Sequence, residues 1–183
     1  MMYEHFDDES MVITGYTGSA TGVILPGEIN GLPVTRIGRE AFRGCKALQE
    51  VRIPEGVTEI GGFAFEGCTS LTQIELPHSV TCIEPGALKD CHALKEIILP
   101  EGIMEIGRSA FEGCASLRKA ELPNSLTSIG VDAFAGCKAL QEIRIPQGVT
   151  NIGIRAFDPR ICGAVRQSGR QSGRQNWKKL HPY

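Results

Sequence analysis

IPEGVTEIGGFAFEGCTSLTQIE, residues 53–75, returns as LPHSVTCIEPGALKDCHALKEII over 76–98, LPEGIMEIGRSAFEGCASLRKAE over 99–121 and LPNSLTSIGVDAFAGCKALQEIR over 122–144. The period is 23 residues. A fixed repeat of this length marks a stacked array in which each unit is one turn of a coil and cannot bury its apolar face alone.

The columns of the repeat assign each position a task. Leu48, Leu71, Leu94, Leu117 and Leu140 are followed three residues on by Val51, Ile74, Ile97, Ala120 and Ile143, and two further on by Ile53, Leu76, Leu99, Leu122 and Ile145. The last two apolar positions have period 2, which predicts a short front strand with one face toward a core. Proline follows at 54, 77, 100, 123 and 146, and its missing N–H stops the strand there. On the back of each coil Val57, Val80, Ile103, Leu126 and Val149 precede Ile60, Ile83, Ile106, Ile129 and Ile152, with threonine between them at 58, 81, 127 and 150. This β-branched run predicts a second short strand. A compact helical turn, A-F-x-G-C, comes next. In it Ala64, Ala110 and Ala133 fit the bend, Phe65, Phe111 and Phe134 fill the interior, and Gly67, Gly113 and Gly136 reverse the chain with positive φ.

The unit resembles the BspA-like leucine-rich repeat of Treponema and Bacteroides surface proteins, with its LPxxVTxIGxxAFxGCxxLxxI pattern. The match runs from about Ile13 to Phe157, and ITGYTGSATGVILPGEINGLPVTRIG is similar to the opening segment of that family. The resemblance implies a β-rich solenoid: a right-handed, curved coil of about six rungs with a parallel front sheet, short back strands and helical turns. It also implies binding of other molecules, often in adhesion, and it brings no catalytic motif.

At 183 residues and 42% hydrophobic content the chain is long enough for one core. Residues 1–25 read as a cap and first strand, 26–165 as the solenoid, and 166–183 as a basic tail. The formal charge is −2, but the residues from Arg166 onward hold five Lys or Arg and no acid. The body before them carries 14 bases against 21 acids, a charge of −7. The acidic opening MMYEHFDDES has no apolar h-region of a secretory signal, and no apolar run approaches the ~18 residues of a membrane span. A cytoplasmic location is expected of the chain as it stands, and a surface or secreted one if an export signal has been removed.

Cys45, Cys68, Cys91, Cys114 and Cys137 fall in one column, about one rung (~4.8 Å) apart. Five side chains standing alongside one another do not pair into disulfides, so they read as buried free thiols acting as small apolar residues. Cys82 lies at a variable position beside Ile83 and is expected to be exposed. The Gly-rich GYTGSATG lacks the Lys-Ser/Thr ending of a phosphate loop and reads as a turn.

One unit departs from the pattern. Glu84, Pro85 and Gly86 replace the usual I-G step, Leu88 replaces phenylalanine, and Asp90 replaces glycine, which predicts a local distortion of the back without a break in the stack. His78 and His92 in this region suggest a metal, or a Cys91–His92 dyad. Both fail on geometry: the histidines lie in turns at opposite ends of front strands, and adjacent extended residues point to opposite faces. No catalytic residue, metal site or cofactor is expected.

The ends are irregular. Residues Met1 to Ser10 read as loosely ordered and Met11 to Tyr16 as a covering strand, while Ala20, Val23 and Leu25 repeat the front-strand columns and make six front strands. Five extra residues fall in the Ile29 to Pro33 edge loop. After Phe157 the pattern is lost at Asp158-Pro159-Arg160, so no regular seventh front strand is expected, and RQSGRQSGRQNWKKLHPY reads as a disordered tail. Trp177 and Leu180 folding back over the last coil is the sharper expectation.

Outward-pointing front positions supply the candidate site: Arg52, Glu75, Glu96, Ile98, Lys119, Glu121 and Arg144. Opposite charges are expected to pair up the ladder, Arg52 with Glu75 and Glu121 with Arg144, contributing only ~0.2–1 kcal/mol each. Ile98, apolar amid charge, is the candidate anchor. Six strands at ~4.8 Å and five residues at ~3.3 Å give a face of about 400 Å², half the ~800 Å² that a standard interface takes from each partner. A partner protein must also use the edge loop or the tail, or else the ligand is a short peptide. Protein or peptide recognition is the favoured class, with a structural role or self-association through the uncapped last coil as the alternative. A third class is nucleic-acid or acidic-surface contact through Arg166, Arg170, Arg174, Lys178 and Lys179, which the −7 body opposes.

Overall fold

Three residues of period-2 alternation make a very short strand, and a proline two positions beyond it prevents any extension. The computed structural model describes residues 1–161 and 165–167. In chain order its strands are β1 (Met2–Asp7), β2 (Ser10–Gly15), β3 (Gly22–Ile24), β4 (Glu28–Ile29), β5 (Leu32–Ile37), β6 (Glu50–Arg52), β7 (Glu59–Ile60) and β8 (Gln73–Glu75). They continue as β9 (Cys82–Ile83), β10 (Glu96–Ile98), β11 (Glu105–Ile106), β12 (Lys119–Glu121), β13 (Ser128–Ile129), β14 (Ile143–Ile145), β15 (Asn151–Ile152) and β16 (Val165–Gln167). The repeat is therefore a β-solenoid of about seven turns.

The back strands form one sheet in the order β1-β2-β5-β7-β9-β11-β13-β15. From β2 onward its members are parallel, and the regular coils pair residues 23 apart, as with Arg36 opposite Glu59 and Ser128 opposite Asn151. The front strands are also parallel but are hydrogen-bonded in three groups, β3-β6-β8, β10-β12 and β14-β16. One unbroken front ladder, the expectation from the columns, is not what forms.

Between back and front strands each coil turns through the A-F-x-G-C arc, and this arc is not a helix. Its amides alternate in use: Ala64, Glu66 and Cys68 donate to carbonyls three residues back, whereas Phe63, Phe65 and Gly67 donate to Pro85, Ala87 and Lys89 on the next coil. Every second donor is committed between coils, so a continuous i→i−4 ladder cannot run. The only helical element among the described residues is the 3₁₀ turn Pro159–Ile161. The glycine column does take positive φ, and Asp90 takes it too, at φ 57°. A second column with positive φ, Glu40, Phe63, Gly86, Ser109, Asp132 and Arg155, has no glycine pattern to announce it.

The interior is a rod of the predicted columns, with Leu48, Leu71, Leu94 and Leu117 and the back isoleucines Ile60 and Ile106 fully buried. Tyr16, Phe42 and Phe65 stack at centroid spacings of 5.4 and 5.1 Å, and Phe111, Phe134 and Phe157 at 5.2 and 5.8 Å. Buried Leu88 separates the two stacks. The irregular unit distorts the back as expected: β9 and β11 share one residue pair, Ile83 with Ile106, where regular neighbours share two. The stack continues through it by Phe63 to Pro85 and Gly86 to Arg108 hydrogen bonds.

Two expectations about the ends are corrected. Residues 2–7 are not loose but form β1, antiparallel to β2, because Asp7 closes a hairpin by accepting from the Glu9 amide and the Ser10 hydroxyl. A seventh front strand does follow: Val165–Gln167 lies parallel to Ile143–Ile145, with Val165 buried in the column of Ile143. The Asp158-Pro159 interruption falls at the 3₁₀ turn Pro159–Ile161, ahead of this strand. The edge loop is itself a hairpin, β4 against β5, turned by Asn30 and Gly31, both at positive φ. The disordered tail, its capping by Trp177 and Leu180, and its contacts through Arg170, Arg174, Lys178 and Lys179 lie outside the described residues.

Candidate functional site

Strands β6, β8, β10 and β12 present their first and third residues outward and bury the second, and at β14 the outward pair is Arg144 with Glu142 just before the strand, which gives each coil two front side chains to pair. They pair mainly along the strand, and up the ladder only where Arg166 of β16 comes within 4.0 Å of Glu142. Arg52 Nε lies 3.2 Å from Glu50, Arg144 Nε lies 3.4 Å from Glu142, Lys119 pairs with Glu121, and the Gln73 amide donates to Glu75 at 3.3 Å. The expected pairs Arg52–Glu75 and Glu121–Arg144 do not form. Residues two apart on one strand share a face at a distance the twist of the sheet does not change, so the local partner wins. Shorter cross-coil ion pairs run along the other side of the coil, where Arg43 meets Glu66 at 2.7 Å and Lys89 meets Glu112 at 2.9 Å.

β10 is the exception to this pattern. Its third residue is Ile98, so Glu96 has no partner two residues on, and it makes no ion pair or hydrogen bond with another described residue. Ile98 is 54% exposed. The ladder also parts here: between β8 and β10 the backbone contact is a Lys95 N–H to Thr72 at 3.5 Å, whereas Thr72 itself donates to Gln49 at 2.9 Å. A groove of about 390 Å³ opens at this gap, lined by Gln73, Ile74, Glu75, Leu76, His78, Glu96, Ile98 and Pro100.

The groove borders the coil that carries Glu84, and that placement has a physical reason. In the regular coils this column is glycine because the turns approach closely: a Cβ at Gly130 would sit 2.7 Å from the Arg108 nitrogen and 2.8 Å from the Ile106 oxygen. Glu84 puts a Cβ into this column. Its carboxylate accepts the Gly62 amide at 2.6 Å, and its coil meets the next through one residue pair. The coil so disturbed is one of two, with that of β14, whose front strand is not hydrogen-bonded to the strand before it.

Of the seven candidate residues the groove gathers Glu75, Glu96 and Ile98; Arg52, Lys119, Glu121 and Arg144 do not line it. His78, Leu76 and Pro100 were missed as lining residues. Their position just beyond the front strands was legible, but the parting of the strands that exposes them was not.

The cysteines do more than fill space. Cys68 Sγ donates to the Phe42 carbonyl at 3.0 Å, Cys91 to Phe65, Cys114 to Leu88 and Cys137 to Phe111, each at 3.2 Å and each one coil back. Burial pushes the Cys68 and Cys137 thiols up to about 12 and raises Cys91 and Cys114 well above their ordinary value. Cys91 serves the Phe65 carbonyl, while exposed His92 lies 3.6 Å from Asp90, so the two do not act as a pair. Cys82 is exposed as expected, but partial burial and the carboxylates of Glu59 and Glu84 raise its pKa and hold it as the thiol. Among the described residues no three His, Cys, Asp or Glu side chains cluster to hold a metal.

Coils of 23 residues with a front strand, a back strand and a leucine-bearing arc define a leucine-rich repeat solenoid. The model of the BspA type leucine rich repeat region matches six copies over residues 35–162, and the chain belongs to that family. Among solved structures it is similar to a leucine-rich repeat protein of T. pallidum, with a TM-score of 0.73 and 34% identity covering 84% of this chain and 83% of that one. It is similar also to a leucine rich cell surface protein of Faecalibacterium prausnitzii, with a TM-score of 0.73 and 30% identity over 90% of this chain and 52% of the other. A leucine-rich repeat protein of Eubacterium ventriosum matches with a TM-score of 0.68 and 27% identity, over 90% of this chain and 48% of that one. The chain thus spans about half the length of the latter two. No functionally curated protein matches. The relatives are repeat proteins rather than members of enzyme families, and no described helix is long and apolar enough to cross a membrane.

Proposed function

We propose that this solenoid is a non-catalytic recognition module whose front groove between β8 and β10 takes a short peptide segment or the loop of a partner protein. The observation that carries the reading is Ile98, half exposed at a gap in the ladder and set between Glu75 and Glu96, neither of which has a cation within ion-pair distance, although Lys119 stands opposite Glu96 on β12. An apolar side chain flanked by a basic one matches this lining, since the apolar part covers Ile98 and the cation approaches the two carboxylates. A cavity of about 390 Å³ suits one or two side chains rather than a broad interface.

Selection from a random peptide display library tests this reading. Peptides enriched on the wild type are expected to combine Lys or Arg with a large apolar residue, to be lost on Ile98→Asp, and to be kept on Ile24→Asp, which changes an isoleucine 76% exposed on β3. No enrichment, or peptides indifferent to Ile98→Asp, would refute it.

Self-association is a second reading, supported by β1, an outer edge strand that leaves Met2, Tyr3 and Phe6 half exposed. Light scattering of Tyr3→Lys beside the wild type decides it, a monomer in both counting against. The description of the F. prausnitzii relative as a cell surface protein supports an adhesin-like setting for either reading. Protease accessibility on intact source cells tests that setting.

A further inference from the structure

The groove has two carboxylates that make no ion pair with another described residue, and an apolar anchor, and the same chain carries a segment of the opposite character. After Gln167 the sequence is SGRQSGRQNWKKLHPY, with Arg170, Arg174, Lys178 and Lys179, no acid, and the single tryptophan, Trp177. We propose that this segment is an intramolecular occupant of the front groove, with Trp177 against Ile98 and Lys178 and Lys179 facing Glu75 and Glu96. The inference rests on the recognition reading of the groove and names its resident ligand.

Direction and reach both allow it. The front strands are parallel, so the chain leaves β16 at the same end of the strands as Leu76, His78 and Pro100 of the groove. β16 lies three strand positions from β10, about 14 Å at ~4.8 Å each. Ten residues separate Gln167 from Trp177, and an extended chain of ten reaches about 33 Å. The slack lets the segment cross β14 and β12 without strain. Charge complements it as well, because on β12 and β14 Lys119 and Arg144 are within ion-pair reach of Glu121 and Glu142, whereas Glu75 accepts from the uncharged Gln73 and Glu96 meets only the field of Lys119 across the ladder.

Tethering makes a weak contact sufficient. A short flexible linker presents its ligand at about millimolar effective concentration, so a groove affinity of ~0.1 mM would keep the segment bound for about nine-tenths of the time. An outside partner would then have to displace the tail. Raised salt, which screens the lysine–carboxylate part of the contact, would assist it.

Trp177, as the sole tryptophan, reports on this in the full chain. Acrylamide quenching of its fluorescence is expected to be at least about threefold weaker in the wild type than in a synthetic peptide of residues 168–183. It should rise to the peptide's value in Ile98→Asp and in the double variant Glu75→Lys, Glu96→Lys, and stay protected in Ile154→Asp, an exposed isoleucine on the last coil. Equal quenching in wild type and peptide would overturn the proposal. So would protection that survives Ile98→Asp, which would place the tail elsewhere, or protection that grows with protein concentration, which would make the contact one between copies. Melting temperatures of the surface variants equal to the wild type exclude misfolding as the cause. A displayed peptide that needs Ile98 but leaves Trp177 quenching unchanged would remove the tail as occupant and keep the recognition reading.

Discussion

A thiol at the inner corner of each coil solves a local hydrogen-bond problem. The carbonyl of Phe111 accepts the Cys114 amide and has a second lone pair facing the next coil, where Cys137 Sγ meets it at 3.2 Å. Alanine would leave that lone pair without a partner, and serine would bring a stronger dipole into an apolar rod. Because burial raises the folded-state pKa of Cys137 from 9.0 to about 12, the folded state holds its proton more tightly than the unfolded chain does. The stability so contributed is fully present below pH 9 and is lost as pH rises toward 12. Urea titrations between pH 9 and 12 should show the wild type losing stability faster than Cys137→Ala, by about 1.4 kcal/mol per pH unit. Parallel slopes in the two proteins would refute this. The cysteine column was plain in the sequence. The sulfur's acceptor was not, since it lies 26 residues back and only the stacking of coils brings it near.

At the scale of the element, the arc and the front strand are shaped by where their amides point. Glu75, Ile98 and Glu121 occupy one column, but the strands of Glu75 and Glu121 lie in registered ladders with the preceding strand and that of Ile98 does not. By hydrogen exchange the Ile98 amide should exchange roughly tenfold or more faster than the other two. Equal protection would mean that the ladder is closed and the groove with it. The glycine column on the back offers a second test. A Cβ at Gly107 would meet the Glu84 and Pro85 backbone at 2.8 Å, whereas one at Gly22 meets nothing within 4 Å. Gly107→Ala is expected to lose about 1–3 kcal/mol in urea denaturation, and Gly22→Ala to change stability by less than about 0.5 kcal/mol.

Over the whole molecule cohesion is between neighbours only, so the centre of the rod holds the two halves together. Leu94 is fully buried on the coil where both ladders are weakest. Leu94→Ala should cost about 2–5 kcal/mol. It should also lower the urea m value, because the array then opens into parts that unfold separately. Glu75→Ala should move neither quantity, and equal effects from the two would show the column assignment to be wrong. The acidic body and basic tail are a property of the same scale. Their opposition is visible in composition, but its meaning depends on which carboxylates the fold leaves unpaired.

What the sequence determined by itself is everything that repeats: the 23-residue coil, its front and back strands, the buried columns, the free thiols and the exposed Ile98. A pattern stated five times in register leaves few alternatives, because each side chain meets its own copy one coil away. What only the tertiary structure decided is everything that breaks the repeat. The gap between β8 and β10, the ion pairs along strands instead of across them, the strand at Met2–Asp7 and the seventh front strand at Val165–Gln167 all depend on distances between coils. Those distances are set by single Cβ atoms and backbone hydrogen bonds, to within a fraction of an ångström, and residue spacing along a chain carries no record of them.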